Sequence, residues 1–144
     1  MLIGVVGAGT MGSGIAQSFA SNGFKVLLYD MSDDILSKGI DSIDKSLNRM
    51  VNKKRFTSDL ASEYIQNIKT TTDMNVLIDC DLIIEAATEN INIKKKIFQD
   101  LDTMVKDSCI LASNTSSISI NELADSTNRA DKIIGMHFMN PVPI

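Results

Sequence analysis

The sequence predicts a doubly wound α/β domain, and three observations carry that prediction. Short apolar runs alternate along the chain with longer amphipathic stretches, the pattern of strands and helices taking turns. The first apolar run passes directly into a glycine loop, Gly7-Ala8-Gly9-Thr10-Met11-Gly12, and a helical stretch follows it. The second apolar run ends on an acid, Asp30, 18 residues after Gly12.

In chain order, Leu2–Val6 is the first predicted strand and Thr10–Ser21 the first helix. Lys25–Tyr29 is the second strand. A long helix follows over Asp33–Lys54, with Ile35, Leu36, Ile40, Ile43, Leu47 and Met50 forming its apolar side. A helix over Asp59–Asn67 leads to a weaker strand near Ile68–Thr72. Asp81–Ala86 is a strand and Ile91–Lys106 a helix; Cys109–Ser113 is a further strand. Ser119 and Glu122 have the spacing of a capping box, which predicts a short helix over Ile120–Ala124. Ile133–His137 is the last strand. The strands are rich in Val, Ile and Leu and continuously apolar, which suits a mostly parallel sheet covered by helices on both faces. The class is α/β, with right-handed crossovers, of the Rossmann type.

Composition narrows the function classes. The 144 residues suffice for one domain with a core, and 44% hydrophobic with 22% charged residues is ordinary for a globular protein. A net charge of -4 argues against a nucleic-acid partner. No apolar run approaches the roughly 18 residues of a membrane span. The N-terminus lacks the basic start and cleavage site of a secretory leader, so a cytoplasmic location is expected. Cys80 and Cys109 lie in apolar contexts without metal-ligand spacing, and they read as reduced core thiols with no metal site. There is no repeat, low-complexity tract or linker, so residues 1–144 read as one domain. The only prolines, Pro141 and Pro143, stand within four residues of the end, and a domain stopping there reads as cut.

The glycine loop has chemical meaning because of its setting between strand and helix. Gly7 permits the tight turn, Gly9 lets the backbone approach a pyrophosphate, and Gly12 lets the helix pack close to the strand. The helix N-terminus, with Thr10 and Met11, offers unpaired N–H groups to phosphates. Asp30 is placed to accept hydrogen bonds from the adenosine ribose. Residues 31–34 are Met-Ser-Asp-Asp, with no basic side chain to receive a 2′-phosphate. The expected cofactor is therefore NAD rather than NADP. A second feature is basic. Lys38, Lys45, Arg49 and Lys53 fall on one face of the long helix, and residues 45–55 contain five basic side chains and no acidic one. Such a stripe is either a solvated face or an anion site.

The C-terminal third carries a resemblance. Ser113-Asn114-Thr115-Ser116-Ser117, and Met136-His137-Phe138-Met139-Asn140-Pro141-Val142-Pro143, resemble the paired signatures of the 3-hydroxyacyl-CoA dehydrogenases, of the bacterial 3-hydroxybutyryl-CoA type. Ala86-Ala87-Thr88-Glu89-Asn90, followed by Lys94, resembles the same family's segment after the fourth strand. The resemblance runs over essentially the whole chain; Met139 stands where phenylalanine is commoner. It implies an acyl-CoA substrate and hydride transfer between C3 and the nicotinamide, interconverting a 3-hydroxyacyl-CoA and a 3-ketoacyl-CoA.

Carried over by motif, His137 would move the hydroxyl proton, a role suited to an imidazole that titrates near neutrality. It is the single histidine of the chain, and outside this signature it would read as structural. Ser116 would hydrogen-bond the reacting oxygen. Side chains alternate along a strand, so Ser116 and not Ser117 is expected to face the site. Asn140 would hold substrate or nicotinamide, and Asn114 would support the site from the strand end. Glu89 and Lys94 would lie near the ribose and nicotinamide, or else form an exposed charged pair at a helix start. On the long helix, Ser46, Lys53 and Lys54 would meet coenzyme A. The resemblance also implies a glutamate partner for His137 and a helical C-terminal domain supplying dimer contacts. No acidic residue follows His137, so the chain is expected to represent the N-terminal half of a homo-oligomeric enzyme. Two other readings stay open: a stand-alone NAD-binding module, and a β-hydroxyacid dehydrogenase domain acting on a substrate without coenzyme A.

Overall fold

In the computed structural model, which describes residues 1–143, six strands form one fully parallel sheet. The strands are β1 (Leu2–Val6), β2 (Lys25–Tyr29), β3 (Ile68–Thr71), β4 (Leu82–Glu85), β5 (Ile110–Ser113) and β6 (Ile133–Gly135). Their spatial order is β3-β2-β1-β4-β5-β6. The order reverses between β1 and β4, which opens a crevice at the carboxyl ends of those strands. The helices are α1 (Thr10–Ser21), α2 (Asp33–Asn52), α3 (Ser58–Gln66), α4 (Ile91–Met104) and α5 (Ile120–Ala124). Two 3₁₀ segments, Met74–Asp79 and Ala130–Lys132, were not foreseen from the apolar pattern.

The continuous apolar strands supply both faces by simple alternation. Ile3, Val5, Val26, Leu28, Ile84 and Ala112 face a core completed by Ile15 and Ala16 of α1 and by Leu36, Ile43 and Leu47 of α2. Their neighbours Val6, Leu27, Ile83 and Leu111 face a second core completed by Phe98 and Leu101 of α4 and Leu123 of α5. A strand covered on one side would have shown polar residues at every second position.

Helix starts follow ordinary capping chemistry in three cases. Ser32, Thr57 and Asn90 accept backbone N–H bonds at the beginnings of α2, α3 and α4. The expected capping box at Ser119 does not form. Ser119 makes no side-chain cap bond, and Glu122 instead reaches Lys95 on α4 at 3.5 Å.

Of the elements that stop earlier than the sequence pattern suggests, three do so for a visible reason. α2 ends at Asn52, because Lys53 caps it and Lys54 turns into the left-handed region at φ 57°. α4 ends at Met104, where the Arg129 guanidinium donates to the carbonyls of Asp102, Val105 and Lys106. β6 ends at Gly135. The Met136 amide still donates to Ser113 O at 2.9 Å, but the Phe138 amide is taken by the Asn114 side chain at 2.7 Å. His137 thus lies outside the ladder, on a segment that leaves the sheet.

Candidate active site

The glycine loop is built as its spacing requires. Gly7 has φ 101°, and a Cβ there would stand 2.8 Å from Ala86 O of the adjoining chain. A Cβ on Gly12 would lie 1.7 Å from Gly7 O, so no other residue fits that turn of α1. Gly9, at the N-terminus of α1, has open space beside it, room that a phosphate group could occupy. Asp30, at the end of β2, accepts from the Ala8 amide through Oδ2 at 2.9 Å and from the Ser32 amide through Oδ1 at 3.2 Å. Its carboxylate therefore braces the loop.

Across the reversal point, a cleft of about 540 Å³ gathers residues from distant parts of the chain. Met11 comes from α1, Ala86, Ala87 and Glu89 from the loop after β4, and Lys94 from α4. Asn114 and Ser116 follow β5, while His137 and Asn140 follow β6. The motif residues, far apart in sequence, converge because parallel strands deliver every following loop to the same edge. The His137 segment is tied on both sides, by the Met136 and Phe138 amides. Phe138 also packs edge-on against Phe19, with ring centroids 6.3 Å apart.

Under this cleft lies a polar network. Lys94, 1% exposed, donates to both oxygens of Glu85 at 2.7 and 2.8 Å and lies 3.5 Å from Glu89 Oε2. Glu85 is fully buried, and it also accepts from Ser113 Oγ at 2.7 Å and from the Ala87 amide at 2.7 Å. Glu89 Oε1 accepts from the Thr115 hydroxyl, from Ser117 Oγ at 3.0 Å and from the Ser116 amide at 3.3 Å. Burial pushes the Glu89 carboxyl up, but the hydroxyls of Thr115 and Ser117 and the Lys94 ammonium outweigh it and leave it below the ordinary range.

Residues 2–144 match the family model described as the NAD binding domain of 3-hydroxyacyl-CoA dehydrogenase. The chain belongs to the 3-hydroxyacyl-CoA dehydrogenase family. It is 47% identical over its whole length to the 3-hydroxybutyryl-CoA dehydrogenase of Clostridioides difficile, of which it covers 51%. It is 43% identical to the mitochondrial hydroxyacyl-coenzyme A dehydrogenase of Rattus norvegicus, with 97% of this chain and 46% of that protein covered. The crystal structure of (S)-3-hydroxybutyryl-CoA dehydrogenase from Ralstonia eutropha superposes with a TM-score of 0.97 at 47% identity, over 99% of this chain and 50% of the other. The chain spans about half the length of the curated relatives it matches. As the family's nucleotide-binding domain, it takes NAD as its cofactor.

Gly7, Gly9, Thr10, Met11, Gly12 and Asp30 form the loop and its acid, and the glycines and Asp30 fit a dinucleotide sterically and chemically. Glu89, Lys94, Asn114, Ser116, His137 and Asn140 share the cleft. Lys94 is no exposed member of a surface pair, since its ammonium is held in the network. The strand-alternation argument for Ser116 over Ser117 does not apply, because β5 ends at Ser113 and both serines sit in the bend beyond it. Ser116 lines the cleft, whereas Ser117 Oγ is committed to Glu89. Ser46 and Lys53 line a second cleft of about 510 Å³ with Arg49, Arg55, Pro141 and Pro143; Lys54 is outside its lining.

Three members of the network escaped sequence reasoning: Glu85, Ser113 as a ligand of Glu85, and Thr115. The available signal was Glu85 itself, a single charged residue closing the otherwise apolar strand Leu82-Ile83-Ile84. A buried carboxylate at a strand end needs a partner, and its register partner on β5 is Ser113. Among the described residues, no group of acidic, histidine and cysteine side chains is arranged to hold a metal ion. No helix among the described residues is long and apolar enough to cross a membrane.

Proposed function

We propose that this chain serves an enzyme interconverting (S)-3-hydroxyacyl-CoA and 3-ketoacyl-CoA, with 3-hydroxybutyryl-CoA as substrate. The observation that carries the reading is the shared wall between the two clefts. Residues 137–140 line the cleft at the strand ends, and Pro141 and Pro143 line the basic cleft on α2. An acyl-CoA is long, with a reactive thioester end and a distant phosphate end. The first end fits beside His137 and Ser116, the second beside Ser46, Lys53, Arg49 and Arg55. A substrate without coenzyme A would leave the four-residue polar wall of the second cleft without a use.

The glycine loop and Asp30 would hold NAD, which when bound would supply the hydride acceptor for C3 of the substrate. His137 takes the hydroxyl proton onto an imidazole nitrogen as the C3 carbonyl forms, and returns it in reduction. Ser116 donates its hydroxyl hydrogen to the C3 oxygen, ketone or alcohol alike, so one side chain serves both directions. Asn140 orients the substrate or nicotinamide through its amide. Asn114 contributes by holding Phe138, and hence the neighbouring histidine, in place.

His137, Ser116 and Asn140 are exposed in this chain. Excluding water from them requires a further wall, which the remaining half of the longer relatives is the natural source of. We place the homo-oligomeric contacts there as well, and the enzyme in the cytoplasm. The test is an assay of NADH oxidation with acetoacetyl-CoA by the enzyme carrying this domain. Replacing His137 by Ala is expected to lower turnover by about 10²–10⁴-fold, the range for loss of acid–base catalysis. Residues 1–144 alone are expected to bind NADH with negligible turnover. Full activity of the His137→Ala enzyme would overturn the reading.

A further inference from the structure

The charges beneath the cleft form a closed circuit. Lys94 joins Glu85 and Glu89; Glu85 accepts from Ser113; the Ser113 hydroxyl accepts from the Thr115 amide at 3.2 Å; and the Thr115 hydroxyl returns to Glu89. The circuit ties together the end of β4, the first turns of α4 and the bend after β5. It contains two carboxylates and one ammonium. Glu85 and Lys94, 0% and 1% exposed, neutralise each other at 2.7 Å. The surplus negative charge falls on Glu89, whose side chain is 42% exposed and lines the cleft. The hydroxyls of Thr115 and Ser117 and the Lys94 ammonium hold its carboxyl below the ordinary range, so it is ionised at neutral pH.

A charge in this position can distinguish the two redox states of the cofactor. The nicotinamide ring carries one positive charge when oxidised and none when reduced, and the rest of the molecule is unchanged. Asp30 and the glycine loop would engage the adenosine and pyrophosphate over β2 and β1, and an extended dinucleotide crossing the reversal point would bring its other end over β4 and β5, where Glu89 stands. We propose that the Glu85–Lys94–Glu89 circuit places one net negative charge at the nicotinamide end of the cleft and thereby strengthens binding of oxidised over reduced cofactor.

Glu89 carries the charge in this scheme. Glu85 is a positioning residue: by pairing with Lys94 it prevents the ammonium from cancelling Glu89. The inference rests on the reading that nicotinamide occupies this cleft. For a charge pair about 6 Å apart in a half-exposed site, Coulomb attraction is on the order of a tenfold change in affinity.

The test measures dissociation constants of NAD⁺ and NADH for the purified protein and for Glu89→Gln, Glu89→Asp and Glu85→Gln. The quantity read is the ratio of the NADH constant to the NAD⁺ constant. It is expected to fall on the order of tenfold in Glu89→Gln, where the charge is gone. Glu89→Asp retains the charge and is expected to keep most of the ratio. Glu85→Gln removes the same charge from a buried position without touching the cleft, and it is expected to move the ratio in the same direction. Should Glu85→Gln not fold, as judged by circular dichroism, the contrast between Gln and Asp at position 89 decides. A ratio that is unchanged in Glu89→Gln, or changed equally by Gln and Asp, overturns the proposal. A folded Glu85→Gln protein with an unchanged ratio overturns the role of Glu85. Failure of the unsubstituted protein to bind either form would instead overturn the cofactor reading beneath it.

Discussion

Asp30 shows how much one side chain can hold at the residue scale. Its carboxylate accepts from Ala8 and Ser32, fixing the glycine loop relative to the end of β2 before any ligand arrives. Replacing it by Ala removes both bonds and the acceptor we propose for the ribose. NADH binding is expected to weaken by roughly 1–3 kcal/mol, the range for losing a partly buried acceptor, and titration with NADH measures it. The unsubstituted protein is expected to prefer NADH to NADPH, because Asp30, Asp33 and Asp34 oppose a 2′-phosphate; equal or tighter NADPH binding would refute this. The two serines give a second residue-scale prediction. In the enzyme, Ser116→Ala is expected to lower kcat more than Ser117→Ala, since Ser116 lines the cleft and Ser117 is spent on Glu89. A reversed order would mean that the brace on Glu89 matters more than the cleft hydroxyl. Residues whose chemistry is fixed by a local spacing, such as Gly7, Gly12 and Asp30, were legible in the sequence. Glu85 was not, because its meaning depends on Lys94 and Ser113, nine and 28 residues away.

Among the elements, β1, α1, β2 and α5 agree residue for residue with the apolar pattern, α5 without the capping box expected at its start. An element ended by a distant group did not agree. The expected end of α4 at Lys106 overlooks Arg129, whose guanidinium binds three carbonyls there and pairs with Asp102 Oδ1 at 2.6 Å. Arg129 is 9% exposed, and removing it would strand a buried carboxylate together with the helix-end carbonyls. Arg129→Ala is expected to destabilise the fold by about 3 kcal/mol, the low end for breaking a buried pair, as read by urea denaturation. The Asp102 carboxyl adds a pH dependence. Burial pushes it up, but the bonds from Asn128 and Arg129 outweigh burial and hold it below the ordinary value. A carboxyl lowered in the folded state contributes stability above its unfolded pKa and loses it as pH falls through the folded one. Acid should therefore destabilise the unsubstituted protein more steeply than the Arg129→Ala variant.

For the whole molecule, the two cores flanking the sheet make the cysteines useful reporters. Burial pushes the Cys80 thiol up to about 12 and the Cys109 thiol up to about 11, and both lie in the core between the sheet and α4. A thiol raised in the folded state contributes stability that is complete below its unfolded pKa and is lost as pH rises toward the folded value. Stability is thus expected to decline above about pH 9, where unfolded thiols begin to ionise. At pH 8 neither thiol should react with a disulfide reagent until the chain unfolds; rapid labelling under native conditions would contradict the packing. The short strand β6 has a different consequence. It is an edge of three residues with a single neighbour, yet it delivers His137 to the cleft. Amides at such an edge open to solvent far more often than those of central strands. In deuterium exchange, Met136 and Phe138 should label well before Val5 and Ile84. A dinucleotide reaching from Gly9 to this edge would fasten the weakest strand to the strongest. Bound cofactor should then slow labelling at Met136 and Phe138 in proportion to its occupancy, so that exchange at this edge reports cofactor binding.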